Sequence, residues 1–352
     1  MLFPNSEVVI NPALLLLLGL ILGTLSGFFG VGGGFLVTGG LLVFGVPAPF
    51  AVGTGLTLIM GSSIINTLKH RRLGNVDFKL GLFMISGTIP ALCLAQWVIT
   101  GLKAAGLAEP AIRYTYVVVL AVLGLFIIYD YWRTQKQPDL TRGQGETSTA
   151  GLARRVQSLR LTPESLRVPG FGRVPLYIAL PVSGIARISV LIPFSVGFLA
   201  GLFAGLLGAG GGTILMPILI FVVGVPTTVA IGTDLFQIII TGSVGTFIKA
   251  YANEVDLLMV ILMLGAASLG SQLGATATKF VEAVRIRFLF GVTVLSGCVA
   301  VALEQVSNTG AGLAFLSTVA SFLLLGVSGA ICVIIAGLLI TAKLRKPGET
   351  IS

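Results

Sequence analysis

The length of the stretches without charge limits this chain more than any other feature. Apolar, nearly charge-free runs cover residues 12–29, 35–45, 50–68, 80–99, 114–129, 190–207, 213–224, 228–248, 257–278, 288–303 and 313–342. Nine of them approach or exceed the ~20 residues a helix needs to cross a hydrocarbon layer of ~30 Å. A soluble domain is roughly 25% charged, whereas this chain is 10% charged and 55% hydrophobic, with a mean hydropathy of +1.03. So little polar surface cannot cover a body in water. Lipid is therefore the solvent, and the expected fold is an all-α polytopic membrane protein. The runs 35–45 and 213–224 do not fit as spans, because at about 1.5 Å per residue they reach half-way across.

No Lys or Arg precedes the run that starts at Pro12, so the cationic region of a signal peptide is missing and a retained helix is expected. Cys93, Cys298 and Cys332 lie in apolar runs at unrelated spacings, which reads as buried thiols rather than metal ligands or disulfides. No metal or cofactor is expected. The net charge of +9 is concentrated: Arg133, Lys136, Arg142, Arg154, Arg155, Arg160, Arg167, Arg173 and Arg187 face only Asp139, Glu146 and Glu164 within that segment. With no nucleic-acid motif beside it, this segment reads as a cytoplasmic linker lying on anionic lipid.

Laid on itself at a shift of 178, the chain matches its own glycines. Gly19, Gly23, Gly27, Gly30, Gly32, Gly33 and Gly34 fall on Gly197, Gly201, Gly205, Gly208, Gly210, Gly211 and Gly212. Glycine is only 47 of 352 residues, too few for seven such coincidences to arise by chance. After one inserted residue, Gly45-Val46-Pro47 pairs with Gly224-Val225-Pro226, Gly53-Thr54 with Gly232-Thr233, and Val76-Asp77 with Val255-Asp256. The expected organisation is a first transmembrane repeat (1–132), the basic linker (133–189), a second repeat (190–305) and a C-terminal helix with its tail (306–352).

The positive-inside rule orients the repeats. If each short run turns back to the side its predecessor came from, Lys69–Arg72, the linker, Arg285, Arg287 and the tail Lys343–Lys346 all face the cytoplasm, and Lys249 emerges outside. One net crossing instead would turn the second-half clusters outward. The favoured count gives two inverted-topology repeats with re-entrant or broken half-helices at glycine-rich tips, the N-terminus outside and the C-terminus cytoplasmic.

Under that topology the two short helices begin at glycine tips near the bilayer centre. Irregular backbone at that depth must be shielded by protein or line a cavity, and cavities between inverted repeats hold substrate in several transporters. A helix N-terminus offers up to four unpaired N–H groups and about half a positive charge. Two such tips make an anion receptor without a buried Arg or Lys. The candidate substrate-binding residues are Gly32, Gly33, Gly34, Thr54, Gly210, Gly211, Gly212 and Thr233. Gly19, Gly23, Gly27 and their copies repeat every four residues, which favours close helix packing. No Lys-Ser or Lys-Thr follows the glycines, so they are not a Walker loop.

Asp234 is the single carboxylate well inside an apolar run, and its first-half counterpart is Gly55. Intramembrane acids are costly and point to function. Asp234 is therefore a candidate for coupling or gating, with structural capping as the plainer alternative, and Gln237, one i, i+3 step further on the same helix face, is a candidate with it. His70, within Lys69–Arg72, reads as a solvated charge.

The motifs Gly27-Phe-Phe-Gly-Val-Gly-Gly-Gly34 and Ala51-Val-Gly-Thr54, with their copies Gly205-Leu-Leu-Gly-Ala-Gly-Gly-Gly212 and Ala230-Ile-Gly-Thr233, resemble the TauE/SafE sulfite exporter family over roughly 12–105 and 190–280. The resemblance implies a transporter in the cytoplasmic (inner) membrane for a small anion, among them sulfite, sulfoacetate and related sulfur compounds. Export suits the energetics, since an anion leaving a negative interior gains about 2.3 kcal/mol per 100 mV. Transport of an organic acid or a cation stays open because of Asp234. An intramembrane enzyme is disfavoured, because the apolar runs hold no His/Cys/Asp grouping.

Overall fold

The computed structural model describes residues 2–3, 5–31, 33–135, 150–158, 165–168, 172–208, 211–309 and 315–344. Helices dominate. They are α1 (Pro12–Phe29), α2 (Gly34–Val43), α3 (Ala48–Arg72), α4 (Phe78–Ala104), α5 (Ala108–Gln135), α6 (Ala150–Ser158), α7 (Leu191–Leu207), α8 (Gly212–Pro217), α9 (Thr227–Tyr251), α10 (Leu257–Ala277), α11 (Ala283–Thr309) and α12 (Phe315–Leu344). A π-helical segment, Ile218–Val223, continues α8 without a break, so one 12-residue helix runs from Gly212 to Val223. Eight of the helices are long and apolar enough to cross a membrane, and the protein is a multi-pass all-α membrane protein. Three two-stranded antiparallel hairpins, which the apolar runs gave no reason to expect, join β1 (Leu2–Phe3) to β2 (Val8–Val9), β3 (Ser165–Val168) to β4 (Gly172–Pro175), and β5 (Tyr177–Leu180) to β6 (Ile185–Ser189).

The glycines explain how the helices pack. In lipid no hydrophobic force draws helices together, so close backbone approach must do so. A Cβ on Gly27 would lie 2.5 Å from the Ser271 carbonyl oxygen, and Gly19 and Gly23 abut the backbone of Met263 and Ala267 in the same way. The numbers rise together, so α1 and α10 run parallel. The same contact recurs with the halves exchanged: Gly197 and Gly201 of α7 abut the backbone of Met84 and Thr88 in α4. The four-residue glycine repeats are thus packing seams, and each joins one half to the other. By contrast, α3 and its copy α9 run antiparallel, with Gly242 beside Met60 and Gly232 against Asn75. So do α5 and its copy α11, where Gly124 meets Leu295 and the Cys298 thiol points to the Val117 carbonyl at 3.3 Å. The C-terminal α12 lies on α11, α1, α10 and α2.

Polar contacts follow the same exchange. Asp77 and Asp256 cap α4 and α10 by accepting from the N–H groups of Leu80 (3.0 Å) and Met259 (3.3 Å). The Asp77 N–H donates to Thr233 Oγ1 (2.9 Å), and the Asp256 N–H donates to Thr54 Oγ1 (3.0 Å). Each second carboxylate oxygen accepts from a serine in a hairpin turn, Ser183 at 2.7 Å and Ser6 at 3.0 Å. The hairpins therefore extend the repeat upstream of α1 and α7.

The contacts sort charge between the two ends of the bundle. At one end Lys249 is 2% exposed and paired with Glu254 at 2.9 Å; Glu254 also binds Lys103, and Arg113 pairs with Glu109 at 2.8 Å. Lys249 was expected outside as the lone basic residue there; it is buried and paired, and Lys103 and Arg113 accompany it. The other end carries Lys69, Arg71 and Arg72, the start of α11 with Arg285, and α6, whose Gln157 amide donates to the Val223 carbonyl at 2.8 Å.

Candidate functional site

The helix α1 ends at Gly30 (φ 74°) and α2 is capped by Gly33 (φ 72°); α7 ends at Gly208 (φ 68°) and α8 is capped by Gly211 (φ 80°). Four left-handed residues in two short turns explain why the sequence places glycine there. Each turn folds its chain back along the preceding helix, so that Gly33 sits against Leu22 and Gly211 against the Ala200 carbonyl. Leu22 is next to Gly23, which packs on Ala267, midway along α10. The N-termini of both short helices therefore lie at mid-depth in the bundle. Gly32 and Gly210 fall outside the described residues.

At α2 the N–H groups of Leu36 and Val37 return to the Gly33 carbonyl at 2.9 and 3.1 Å; at α8 those of Ile214 and Leu215 return to Gly211 at 3.1 and 2.9 Å. The N–H groups of Gly34, Phe35, Gly212 and Thr213 have no acceptor among the described residues. These are the donors an anion would use.

The two turns touch. A Cβ on Gly212 would lie 2.8 Å from the Val31 carbonyl oxygen of the first turn and 2.5 Å from Asp234 Oδ2. Asp234 is fully buried, and neither carboxylate oxygen has a hydrogen-bond partner among the described residues. On the opposite side, a Cβ on Gly55 would lie 2.8 Å from Thr38 Oγ1, and one on Gly208 3.0 Å from the same hydroxyl. The hydroxyls of Thr38 and Thr213 are buried and without partners among the described residues. Sequence reasoning passed over both, although Thr213 directly follows the glycine triplet and Thr38 lies one turn beyond Gly34.

Residues 15–303 match the family described as sulfite exporter TauE/SafE. The chain belongs to that family. Among TauE/SafE-like relatives, it is 24% identical to the probable membrane transporter protein YunE of Bacillus subtilis (strain 168), over 81% of this chain and 95% of that protein. It is 23% identical to YjnA of the same organism, also a probable membrane transporter protein, over 72% of this chain and 85% of the other. A shorter stretch, 19% of this chain and 27% of the relative, is 42% identical to the probable membrane transporter protein MJ0441 of Methanocaldococcus jannaschii. No solved structure matches the chain. This TauE/SafE protein is a membrane transporter, not an enzyme.

The remaining expected residues take varied places in the TauE/SafE fold. The hydroxyls of Thr54 and Thr233 accept from the Asp256 and Asp77 N–H groups. Gln237 donates to Thr88 Oγ1 at 2.8 Å and Thr241 Oγ1 at 2.6 Å, tying α9 to α4, while its Oε1 is unpartnered. His70, expected in solvent, is fully buried with Nε2 3.2 Å from the Gly27 carbonyl. The reason is that the chain continues inward beside it: Asn66 on the same face reaches Ser26 Oγ at 3.0 Å. Behind this cluster a cavity of about 210 Å³ opens at the Lys69 end, lined by Ile65, Leu68, Lys69, Arg72, Ser271 and Gln272. Among the described residues no three His, Cys, Asp or Glu side chains gather as a metal site would require.

Proposed function

We propose that this transporter moves a small sulfur-containing anion, sulfite, sulfoacetate or a related sulfonate, across the cytoplasmic membrane by alternating access. The observation that carries the reading is the meeting, at mid-depth, of two helix N-termini whose first N–H groups have no acceptor among the described residues. Main-chain donors and helix dipoles there supply positive potential where no arginine stands. The void beside Thr213 and Gly211 measures only about 10 Å³, room for a water at most, so an anion needs the helices around it to move.

The orientation follows from charge. The antiparallel pairing of α3 with α9 and of α5 with α11 supports inverted repeats, equivalent helices entering from opposite sides. The Lys69 end is the cytoplasmic one by the positive-inside rule, and the opposite end carries basic residues paired with Glu254 and Glu109. The N-terminus is then outside and the C-terminal tail inside. The cavity with Lys69 and Arg72 is the cytoplasmic approach for the anion, and the exposed Arg154 and Arg155 of α6 face anionic lipid headgroups. Net flow outward draws on the membrane potential, worth about 2.3 kcal/mol per 100 mV and unit charge.

Reconstituted protein tests this directly: labelled sulfite and sulfoacetate should cross vesicles that hold it, and unlabelled sulfonates should compete. Flux of an organic cation, with none of either sulfur anion, would remove the reading. The unpartnered carboxylate of Asp234 is what would favour that second reading.

A further inference from the structure

The exchange of contacts between the halves breaks at one place in the site. Positions 55 and 234 follow the matched Gly53-Thr54 and Gly232-Thr233, yet one is glycine and the other aspartate. At Gly55 the neighbouring polar atoms are the neutral Thr38 hydroxyl and the Gly208 carbonyl oxygen. At Asp234 a carboxylate stands against Gly212, the first residue of the helix Gly212–Val223, and Thr213 beside it holds an unpartnered buried hydroxyl. The second tip thus has a carboxylate beside its first residue, in the space an anion would share, while position 55 supplies none at the equivalent place.

Among the described residues nothing nearby neutralises that carboxylate. On the elements packed against α9, His70 turns Nε2 to the Gly27 carbonyl, Asp77 is held by Leu80 and Ser183, and Gln237 donates to Thr88 and Thr241. Arg71 lies over the Phe78 ring, and Lys249 on α9 itself is paired with Glu254. The described residues of α7, α8 and the Val31 turn carry no ionisable side chain. An ionised carboxylate and a bound anion cannot share so small and dry a space at low energy, because like charges disfavour one another's charged form.

We infer that Asp234 is a proton site, and that the anion binds between the tips only when this carboxyl holds a proton. One H⁺ is taken from the water on the side of loading, is held on an Asp234 oxygen during the crossing, and is released with the anion on the other side. Proton and anion move in the same direction. The inference rests on the anion-transport reading above and adds to it the identity of the second cargo.

The test uses the full chain in vesicles with a trapped pH dye and sulfoacetate, whose two acidic groups stay ionised between about pH 6 and pH 8. Sulfoacetate uptake should acidify the lumen by one proton per anion, and the apparent KM should rise about tenfold per pH unit above the titration of the carboxyl. Asp234→Asn should give sulfoacetate flux, at whatever absolute rate, with no accompanying proton and no pH dependence. Wild-type flux without acidification overturns the proton site and leaves the anion carrier standing. Absence of any sulfur-anion flux removes the carrier reading instead. Infrared difference spectra taken without substrate then still decide the proton site. A carboxylic C=O band that titrates in wild type and vanishes in Asp234→Asn supports it, and its absence in wild type overturns it.

Discussion

Replacing Gly212 by alanine adds one methyl group at the point where the two turns and Asp234 converge. Gly212 has an ordinary helical backbone, so the change strains no dihedral angle and the effect is one of space. The new Cβ would lie 2.5 Å from Asp234 Oδ2, 2.8 Å from the Val31 carbonyl and 3.0 Å from Ile238 Cδ1. Ordinary contact begins near 3.4 Å, so the first two neighbours must retreat by about 0.9 and 0.6 Å. The carboxylate is the end of a side chain and can turn; the Val31 carbonyl is backbone and must carry the first turn with it. Overpacking of this kind costs about 1–3 kcal/mol. Placed in the binding site, it corresponds to roughly a 5- to 150-fold loss in flux at low substrate, at 1.4 kcal/mol per decade. The assay is initial sulfoacetate uptake into vesicles over a range of concentrations, beside thermal unfolding of the same protein in detergent. Gly265→Ala serves as the control, because a Cβ there meets nothing within 4 Å. Wild-type KM and rate for Gly212→Ala would refute the assignment of the tips as the place where the anion is held.

Further outcomes follow from the same geometry. Gly23→Leu forces a side chain into the Ala267 backbone and should separate α1 from α10, seen as loss of folded protein in detergent chromatography. Glu254→Gln leaves Lys249 buried with its charge uncompensated and should destabilise by roughly 3–5 kcal/mol, read as a lower midpoint of thermal unfolding. Thr233→Val strips the buried Asp77 N–H of its acceptor and should cost about 1–3 kcal/mol in stability with KM unchanged, whereas Thr38→Val should raise KM while leaving stability near wild type. Lys69→Gln with Arg72→Gln should raise KM for efflux from inside-out vesicles at low salt, and the difference should shrink at high salt, as screening of an approach field requires.

The spans were legible in the sequence because lipid imposes a length and an absence of charge, and 257–278 against Leu257–Ala277 shows how closely that constraint sets a boundary. The turn glycines were legible because left-handed backbone is a demand few residues other than glycine meet. Thr54 and Thr233 show where pattern stops. Their match across the halves marked a shared role, but a recurring hydroxyl reads alike whether it faces a ligand or a neighbouring helix cap. His70 was misread for a related reason: a run of basic residues signals an exposed helix end, yet one face of that end still packs on α1 through Asn66 and Ser26. The Lys103–Glu254 pair and the Asp234–Gly212 approach join residues far apart in the chain or on different helices, and periodicity within one helix holds no record of such encounters.

The seam of glycines between α1 and α10, and its twin between α7 and α4, has a mechanical meaning. Each half lends its first helix to the other, as two people standing with linked arms do, so the repeats are not the bodies that move against each other. A chain cut within the basic linker should yield two fragments that fold only when made together, and the conformational cycle should swing the welded pairs α1–α10 and α4–α7 past the crossed α3 and α9.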